Sequence, residues 1–210
     1  MATLSAIERS NLADALAAAG PDAPTLCEGW TAHDLAAHLV ARERRPDSSL
    51  GLVVPPLAGW TDHVRRRFAR RPFDELVALV RSGPPATSPF ALPGVDARLN
   101  LAEHFVHCED VRRADPSVGP RELAPGLQNA LWKLLRVRGR AFFRRSTVGI
   151  VLATSDGREH VAAPGDPAVR VVGDPAELVL LAFGRGRRAT VHRQGPPAAL
   201  AAFDALDLSV

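Results

Sequence analysis

The stretch TAHDLAAHL, residues 31–39, predicts the helix whose start is the best defined in the chain. Thr31 can cap this start, and Asp34 completes a capping box, in which each residue's side chain accepts a hydrogen bond from the other's backbone N–H. His38 follows Leu35 at helical spacing and directly precedes Leu39, so its imidazole lies on the side of the helix that carries these apolar side chains. The sequence therefore predicts a helix that turns a histidine toward the interior of the fold.

Apolar residues recur at helical spacing along most of the chain before residue 145. Gly20-Pro21 ends the first of these patterns, and Pro72 interrupts a later one. The predicted helices are Leu4–Ala19, one that starts at Thr31 and ends before Pro46, Trp60–Arg70, Phe73–Arg81, about Asp96–Ala114, and Leu123–Arg144. These segments supply the principal helices that a bundle with its own core needs.

The pattern changes near Ser146, where helical spacing gives way to short runs of branched apolar residues. TVGIVLAT predicts a strand, and Asp156-Gly157 is a turn signal before a second strand around His160. The remaining predicted elements are strands at Val169–Val172 and Ala189–His192 and helices at Pro175–Phe183 and Pro197–Leu206. We therefore predict an α+β protein, with a helical bundle over residues 1–145 and a small α+β domain over residues 146–210.

Composition and charge argue against several classes of protein. The net charge is only +3, and an aromatic content of 5% with no tyrosine leaves the many arginines without the aromatic partners of a nucleic-acid-binding surface. Cys27 and Cys108 belong to no CxxC or CxxH motif, so we expect no disulfide framework. The sequence shows neither a cationic leader nor a membrane-length apolar run, so we expect a cytoplasmic protein. We also expect a monomer or a homodimer.

Glu103, His107 and Asp110 form a polar stripe on one predicted helix. A rotation of about 100° per residue places the three side chains within roughly 60° of one another. Apolar residues fall on the same side, so the stripe faces the interior, where ionised groups are costly unless they are paired or bound to a metal. With His38 from the earlier helix, the set becomes two histidines and a glutamate with a fourth position open, as in catalytic zinc sites. Asp110 suits an acceptor that orients an imidazole.

Other assignments of these residues stay open. A glutamate and a histidine four residues apart are common on helices, and a histidine that faces inward is often a hydrogen-bonded core residue. His104 is a rival for the place of Glu103, although its side chain points about 100° away from that of Glu103. Histidine and carboxylate ligands also suit nickel or iron.

The cysteines and arginines near the predicted ligands are expected to have no functional role. Cys27 has no histidine or aspartate at short spacing to activate it, and Cys108 points about 100° away from His107. Five arginines are expected to be ordinary surface charges: Arg42, Arg44, Arg45, Arg112 and Arg113.

LCEGWTAHDLAAHLVARERRP, residues 26–46, and EHFVHCEDVRRA, residues 103–114, resemble the actinobacterial branch of the DinB-like superfamily that includes mycothiol-dependent maleylpyruvate isomerase. The resemblance covers nearly the whole chain and is closest to an uncharacterised metal-binding subgroup. In that family a tryptophan precedes a D-L-x-x-H segment, and a later E-x-x-x-H-x-x-D segment completes the metal site. The resemblance implies zinc ligands at His38, Glu103 and His107 in a DinB-like four-helix bundle, followed by a small α/β domain related to sterol-carrier folds.

The same resemblance implies a mycothiol-dependent transferase or isomerase. In the thiol-dependent members, zinc would bind the thiol of mycothiol as a thiolate and present a nucleophile at neutral pH. A small anionic substrate would also need a cation, for which Arg185 in the FGRG stretch is the candidate. The alternative is a non-catalytic metal-binding or thiol-sensing protein. A lipid carrier is not expected, because the tail domain is too small to enclose an apolar ligand.

Overall fold

The computed structural model describes residues 2–45, 47, 58–92 and 100–208. The chain forms two compact units, Met1–Val118 and Gly119–Val210. The described part of the first unit is helical, and the second unit combines helices with a four-stranded sheet. The α+β class predicted from the sequence is therefore confirmed. Within the described ranges, no helix has the length and apolar character needed to span a bilayer.

Helices of the first unit form a small bundle. Helix α1 packs against α4 and α5, and α2 packs against α3 and α4. The predicted start of α5 near Asp96 lies outside the described residues. The bounds of the five helices described in this unit are α1 (Leu4–Ala19), α2 (Ala32–Arg44), α3 (Ala58–Phe68), α4 (Phe73–Ser82) and α5 (Leu101–Arg112), with a short 3₁₀ helix at Pro89–Ala91.

Buried side chains from four of these helices make the core of the first unit. Leucines at helical spacing are the largest side chains of this buried cluster, and each fully buried leucine stabilises the fold by about 2 kcal/mol. Cys108 is part of this apolar cluster and is 1% exposed. The core includes Leu12 and Leu16 of α1, Leu35 and Leu39 of α2, Leu76 and Val80 of α4, and Cys108 and Val111 of α5.

The capping box predicted at the start of α2 is present. Thr31 Oγ1 accepts a hydrogen bond from the Asp34 N–H at 3.3 Å, and Asp34 Oδ2 accepts one from the Thr31 N–H at 3.3 Å. With the start held in this way, the helical phase buries Leu35 and Leu39 in the core. His38 lies at the margin of that core, with 17% of its side chain exposed.

The second unit is built on a mixed sheet with the strand order β2-β1-β3-β4. Strand β1 runs parallel to β3 and antiparallel to β2, and β4 runs antiparallel to β3. Helix α6 packs on β2 and α7, and α8 packs on β3. The elements are α6 (Pro125–Phe142), β1 (Gly149–Ala153), β2 (Glu159–Ala163), β3 (Ala168–Val172), α7 (Pro175–Ala182), β4 (His192–Gln194) and α8 (Pro197–Asp204).

The two compact units divide at a different point from the domain boundary that the sequence predicts near residue 145, and helix α6 is the element that lies between the two points. The units divide after Val118, so α6 belongs to the second unit, where its buried Leu127, Leu131 and Leu135 lie. Periodicity identifies the apolar face of a helix but not the element that covers it, so this stripe fits a bundle or a sheet equally well. That residues 1–145 form a separate domain stays a prediction.

The capping box gives a direct test of what holds the start of α2. Thr31→Ala removes the side-chain acceptor, and we expect the free energy of unfolding to fall by about 1 kcal/mol, as measured by urea denaturation. Thr31→Ser keeps the hydroxyl and is the matched control, for which we expect most of the stability to remain. Equal stability of Thr31→Ala and the original chain would show that the cap has no energetic role.

Candidate metal centre

His38 from α2 and Glu103 and His107 from α5 converge on a common point. Glu103 Oε1 lies 3.2 Å from His107 Nε2 and 3.5 Å from His38 Nε2. One ligand atom from each residue lies within 4.8 Å of the other two. The exposed fractions of the three side chains are 17%, 21% and 12% in chain order, so the cluster is sheltered but open to small solutes.

The donor set and its spacing fit a divalent metal. With metal–ligand bonds of about 2.0 Å, tetrahedral geometry separates neighbouring ligand atoms by about 3.3 Å. The two distances at Glu103 Oε1, 3.2 and 3.5 Å, bracket that value. Two imidazoles and one carboxylate are ligands that zinc accepts, and three protein ligands leave a coordination position for another molecule.

Asp110 holds the His107 ring in the orientation that this arrangement needs. Asp110 Oδ2 lies 2.9 Å from His107 Nδ1, and the Asp110 side chain is fully buried. A carboxylate only accepts hydrogen bonds, so it places the ring proton on Nδ1 and leaves Nε2 turned toward Glu103 and His38. Asp110 therefore contacts the ring nitrogen that faces away from Glu103, and its role in orienting a metal ligand stays a prediction.

Trp30 packs against His38 from the loop that precedes α2. The two ring centroids are 5.1 Å apart. On the indole, the Arg65 guanidinium lies 5.4 Å from the ring centroid, and Arg65 also pairs with Asp34 of the capping box at 2.7 Å. The residues around the start of α2 thus restrict the orientations that are open to the His38 ring.

The pKa values of Glu103 and His107 are shifted in opposite directions. Burial raises the pKa of the Glu103 carboxyl, but hydrogen bonds from the two imidazoles lower it by more, so it lies well below its usual range. Burial lowers the pKa of the His107 imidazole, but its hydrogen bonds with Asp110, Cys27 and Glu103 raise it well above the ordinary value. The cluster is therefore an environment that favours a cation, either a proton or a metal.

Residues 6–51 match the family described as mycothiol maleylpyruvate isomerase N-terminal domain. The resemblance to the mycothiol-dependent maleylpyruvate isomerase family is confirmed. The matched segment includes most of α1 and all of α2 with His38, whereas Glu103 and His107 lie beyond it. No curated protein matches the chain.

Two solved structures share the fold. A crystal structure of the mycothiol-dependent maleylpyruvate isomerase covers 91% of this chain and 90% of its own, with 17% identity and a TM-score of 0.55. A histidine-to-alanine mutant of that isomerase gives the same coverage and identity with a TM-score of 0.53. At this identity the likeness concerns the arrangement of helices and strands, and the chemistry must be argued from the residues of this chain.

Cys27 lies beside the centre, where a histidine and an aspartate that are distant in sequence are its neighbours. Its Sγ donates to Asp110 Oδ2 at 3.2 Å and lies 3.8 Å from His107 Nδ1. The Leu26 N–H donates to the Asp110 backbone oxygen at 3.0 Å, which ties the same loop to α5. Cys27, His107 and Asp110 thus form a second group of ligand-type side chains that shares His107 with the first. Short-range spacing could not reveal a contact between residues 83 positions apart.

His104, the rival for the place of Glu103, takes part in a different buried network. Its Nε2 lies 3.2 Å from Glu43 Oε1, and its Nδ1 lies 3.3 Å from Ser5 Oγ. His104 is 1% exposed. The direction of about 100° from Glu103 therefore carries its imidazole to another face of α5, as the helical rotation requires.

Two of the five arginines assigned to the surface are withdrawn from solvent instead: Arg113 is buried, and Arg42 is partly buried. Arg42 is 11% exposed at its side chain and lies 3.5 Å from Glu103 Oε1, whereas Arg113 is 3% exposed and pairs with the buried Glu109. Charge alone suggested an exposed position, but in each case an acidic side chain compensates the charge of the sheltered guanidinium. Arg45 and Arg112 pair with acidic groups at greater exposure.

Arg185, the predicted anion-binding residue, belongs to the second unit. Its guanidinium donates to the Phe183 backbone oxygen at the end of α7. Its role toward a substrate stays a prediction.

The role of Asp110 can be tested without changing a ligand. Asp110→Asn weakens the acceptor that orients His107, and we expect metal affinity to fall by about 10–100-fold in a competition titration with a chromophoric chelator. Asp14→Asn is the matched control, because Asp14 pairs with Arg81 on the surface and is 64% exposed. Unchanged metal affinity in Asp110→Asn would show that Asp110 does not contribute to metal binding.

Proposed function

We propose that this chain binds a divalent metal, zinc in the first instance, through His38, Glu103 and His107, and uses it to activate a small thiol in a mycothiol-dependent transfer or isomerisation. The observation that carries the proposal is the position of Glu103 Oε1 at 3.2 and 3.5 Å from the two imidazole nitrogens. The family match over residues 6–51 and the shared fold with a mycothiol-dependent isomerase support the choice of thiol.

The number of protein ligands favours a reactive site over a structural one. Structural zinc sites usually fill all four positions with cysteine or histidine, whereas catalytic sites use three protein ligands. The three proposed ligands are also partly exposed, between 12% and 21%, so a small molecule could reach them. Both features support an open coordination position.

The side chains around the ligands have separate tasks in this proposal. Bound zinc would lower the pKa of a coordinated thiol and stabilise it as a thiolate at neutral pH. Asp110 holds the proton of His107 at Nδ1, which keeps the Nε2 lone pair directed into the site. Trp30 lies against His38 and keeps water from one side of its ring. Glu103 supplies the negative charge that offsets a dication.

Elemental analysis tests the metal directly. Protein purified without added metal is expected to hold about one equivalent of a divalent metal, with zinc the main species. Glu103→Ala is expected to lose most of it, and Glu75→Ala, which removes a carboxylate 46% exposed on α4, is expected to keep it. Equal metal content in the two variants would contradict the ligand set.

A thiol titration then separates a reactive site from a structural one. Cobalt-substituted protein is expected to develop cobalt–thiolate absorption on addition of mycothiol, and His38→Ala is expected to lose this response. If the centre is a reactive site, His38→Ala should cost about 1 kcal/mol, which is about 2–4 °C in Tm for a chain of this length. A far larger fall in Tm would favour a metal that only stabilises the bundle. No spectral change at millimolar thiol would count against the proposed function.

A further inference from the structure

Arg42 places a partly buried positive charge at the edge of the candidate metal centre. It follows His38 by about one turn on α2, so both side chains extend from the same face of that helix. Its Nε lies 3.5 Å from Glu103 Oε1, and its side chain is 11% exposed. The cation nearest to the proposed ligands within the described part of this unit therefore comes from one of the helices that supplies them.

The Arg42 guanidinium is held in one orientation by groups that are not ligands. Its Nη1 donates to Asn100 Oδ1 at 2.9 Å, and Asn100 Nδ2 donates in turn to the Phe90 backbone oxygen at 3.0 Å. The Arg42 Cζ lies 4.3 Å from the centroid of the Phe90 ring. Asn100 itself is fully buried. A guanidinium fixed on two sides needs little further ordering to bind a ligand.

The contacts among the described residues leave part of the guanidinium's donor capacity unused. Asn100 engages Nη1, and Glu103 faces Nε at an ion-pair distance, while Nη2 has no hydrogen-bond acceptor in the ranges described. Glu103 Oε1 is also shared with both imidazoles, so it compensates Arg42 only in part. A sheltered cation with spare N–H donors beside an open site is suited to a carboxylate or sulfonate, which guanidinium binds through paired hydrogen bonds.

We propose that Arg42 binds an anionic group of the molecule that enters the metal centre, so that the site selects small anionic substrates. This inference rests on the proposed function, because it assumes a ligand beside the three metal-binding side chains. By this inference, the residue that recognises the anionic group lies in the same unit as the three proposed metal ligands. The inference is wrong if Arg42 only balances the charge of Glu103 and does not contact the ligand.

Two thiols of equal chain length and different charge test the inference on the full-length cobalt-substituted protein. 2-Mercaptoethanol and 2-mercaptoethanesulfonate share the thiol and differ in a hydroxyl or a sulfonate at the other end. Dissociation constants are read from the cobalt–thiolate absorption. We expect the original chain to bind the sulfonate about tenfold more tightly, the size of one charge-assisted interaction, and we expect Arg42→Gln to lose this preference, so that the ratio of its two dissociation constants is about one.

Two further variants complete the design. Arg44→Gln removes the same charge from the same helix, but Arg44 contacts Ser82 and Gly83, so we expect the preference for the sulfonate to persist. Arg42→Lys keeps the charge without the planar fork and is expected to retain only part of the preference. Arg42→Lys also tests the inference if Arg42→Gln fails to fold. An undiminished preference of Arg42→Lys for the sulfonate would show that paired hydrogen bonds from the Arg42 guanidinium are not needed.

The outcomes separate this inference from the function on which it rests. If neither thiol alters the cobalt spectrum of the original chain, the proposed function and the role of Arg42 both fail. If both thiols bind with equal affinity, or if Arg42→Gln keeps the preference, thiol activation stands and anion recognition by Arg42 is wrong.

Discussion

Glu103 Oε1 lies between the imidazole nitrogens of His38 and His107, and this contact joins α2 to α5 at the margin of the core. A carboxylate in that position is stable only if positive or hydrogen-bond-donating groups surround it. The two histidines and the Arg42 guanidinium supply those groups, and packing against the core shelters them in part, with 21% of the Glu103 side chain exposed. The geometry of the centre therefore depends on how the two helices are rotated about their own axes.

A second polar contact between the same helices restricts that rotation. His104 follows Glu103 on α5 and meets Glu43 of α2 at 3.2 Å, while its other ring nitrogen faces Ser5 of α1. Buried polar groups must be satisfied, so a rotation of α5 that broke this network would carry a high cost. Because Glu103 and His104 are adjacent in sequence, the network that holds one side chain also limits the direction of the other.

The similarity to mycothiol-dependent maleylpyruvate isomerase concerns the fold and not these side-chain contacts. At 17% identity it concerns the path of the chain, and one fold can carry several kinds of chemistry. The residues that would define the chemistry here belong to this chain: the three proposed ligands, Asp110 behind His107, and Arg42 beside Glu103.

The sequence by itself determined the features that depend on neighbours within a few residues. The capping box at Thr31, the inward phase of His38, and the stripe of Glu103, His107 and Asp110 all follow from local hydrogen bonding and the fixed rotation of a helix. Only the tertiary structure placed Cys27 beside Asp110, Arg42 beside Glu103, and α6 against the sheet of the second unit. Helical periodicity gives the direction of a side chain on its own helix. The group that it meets depends on the packing of an element that is distant in the chain, which no local pattern records.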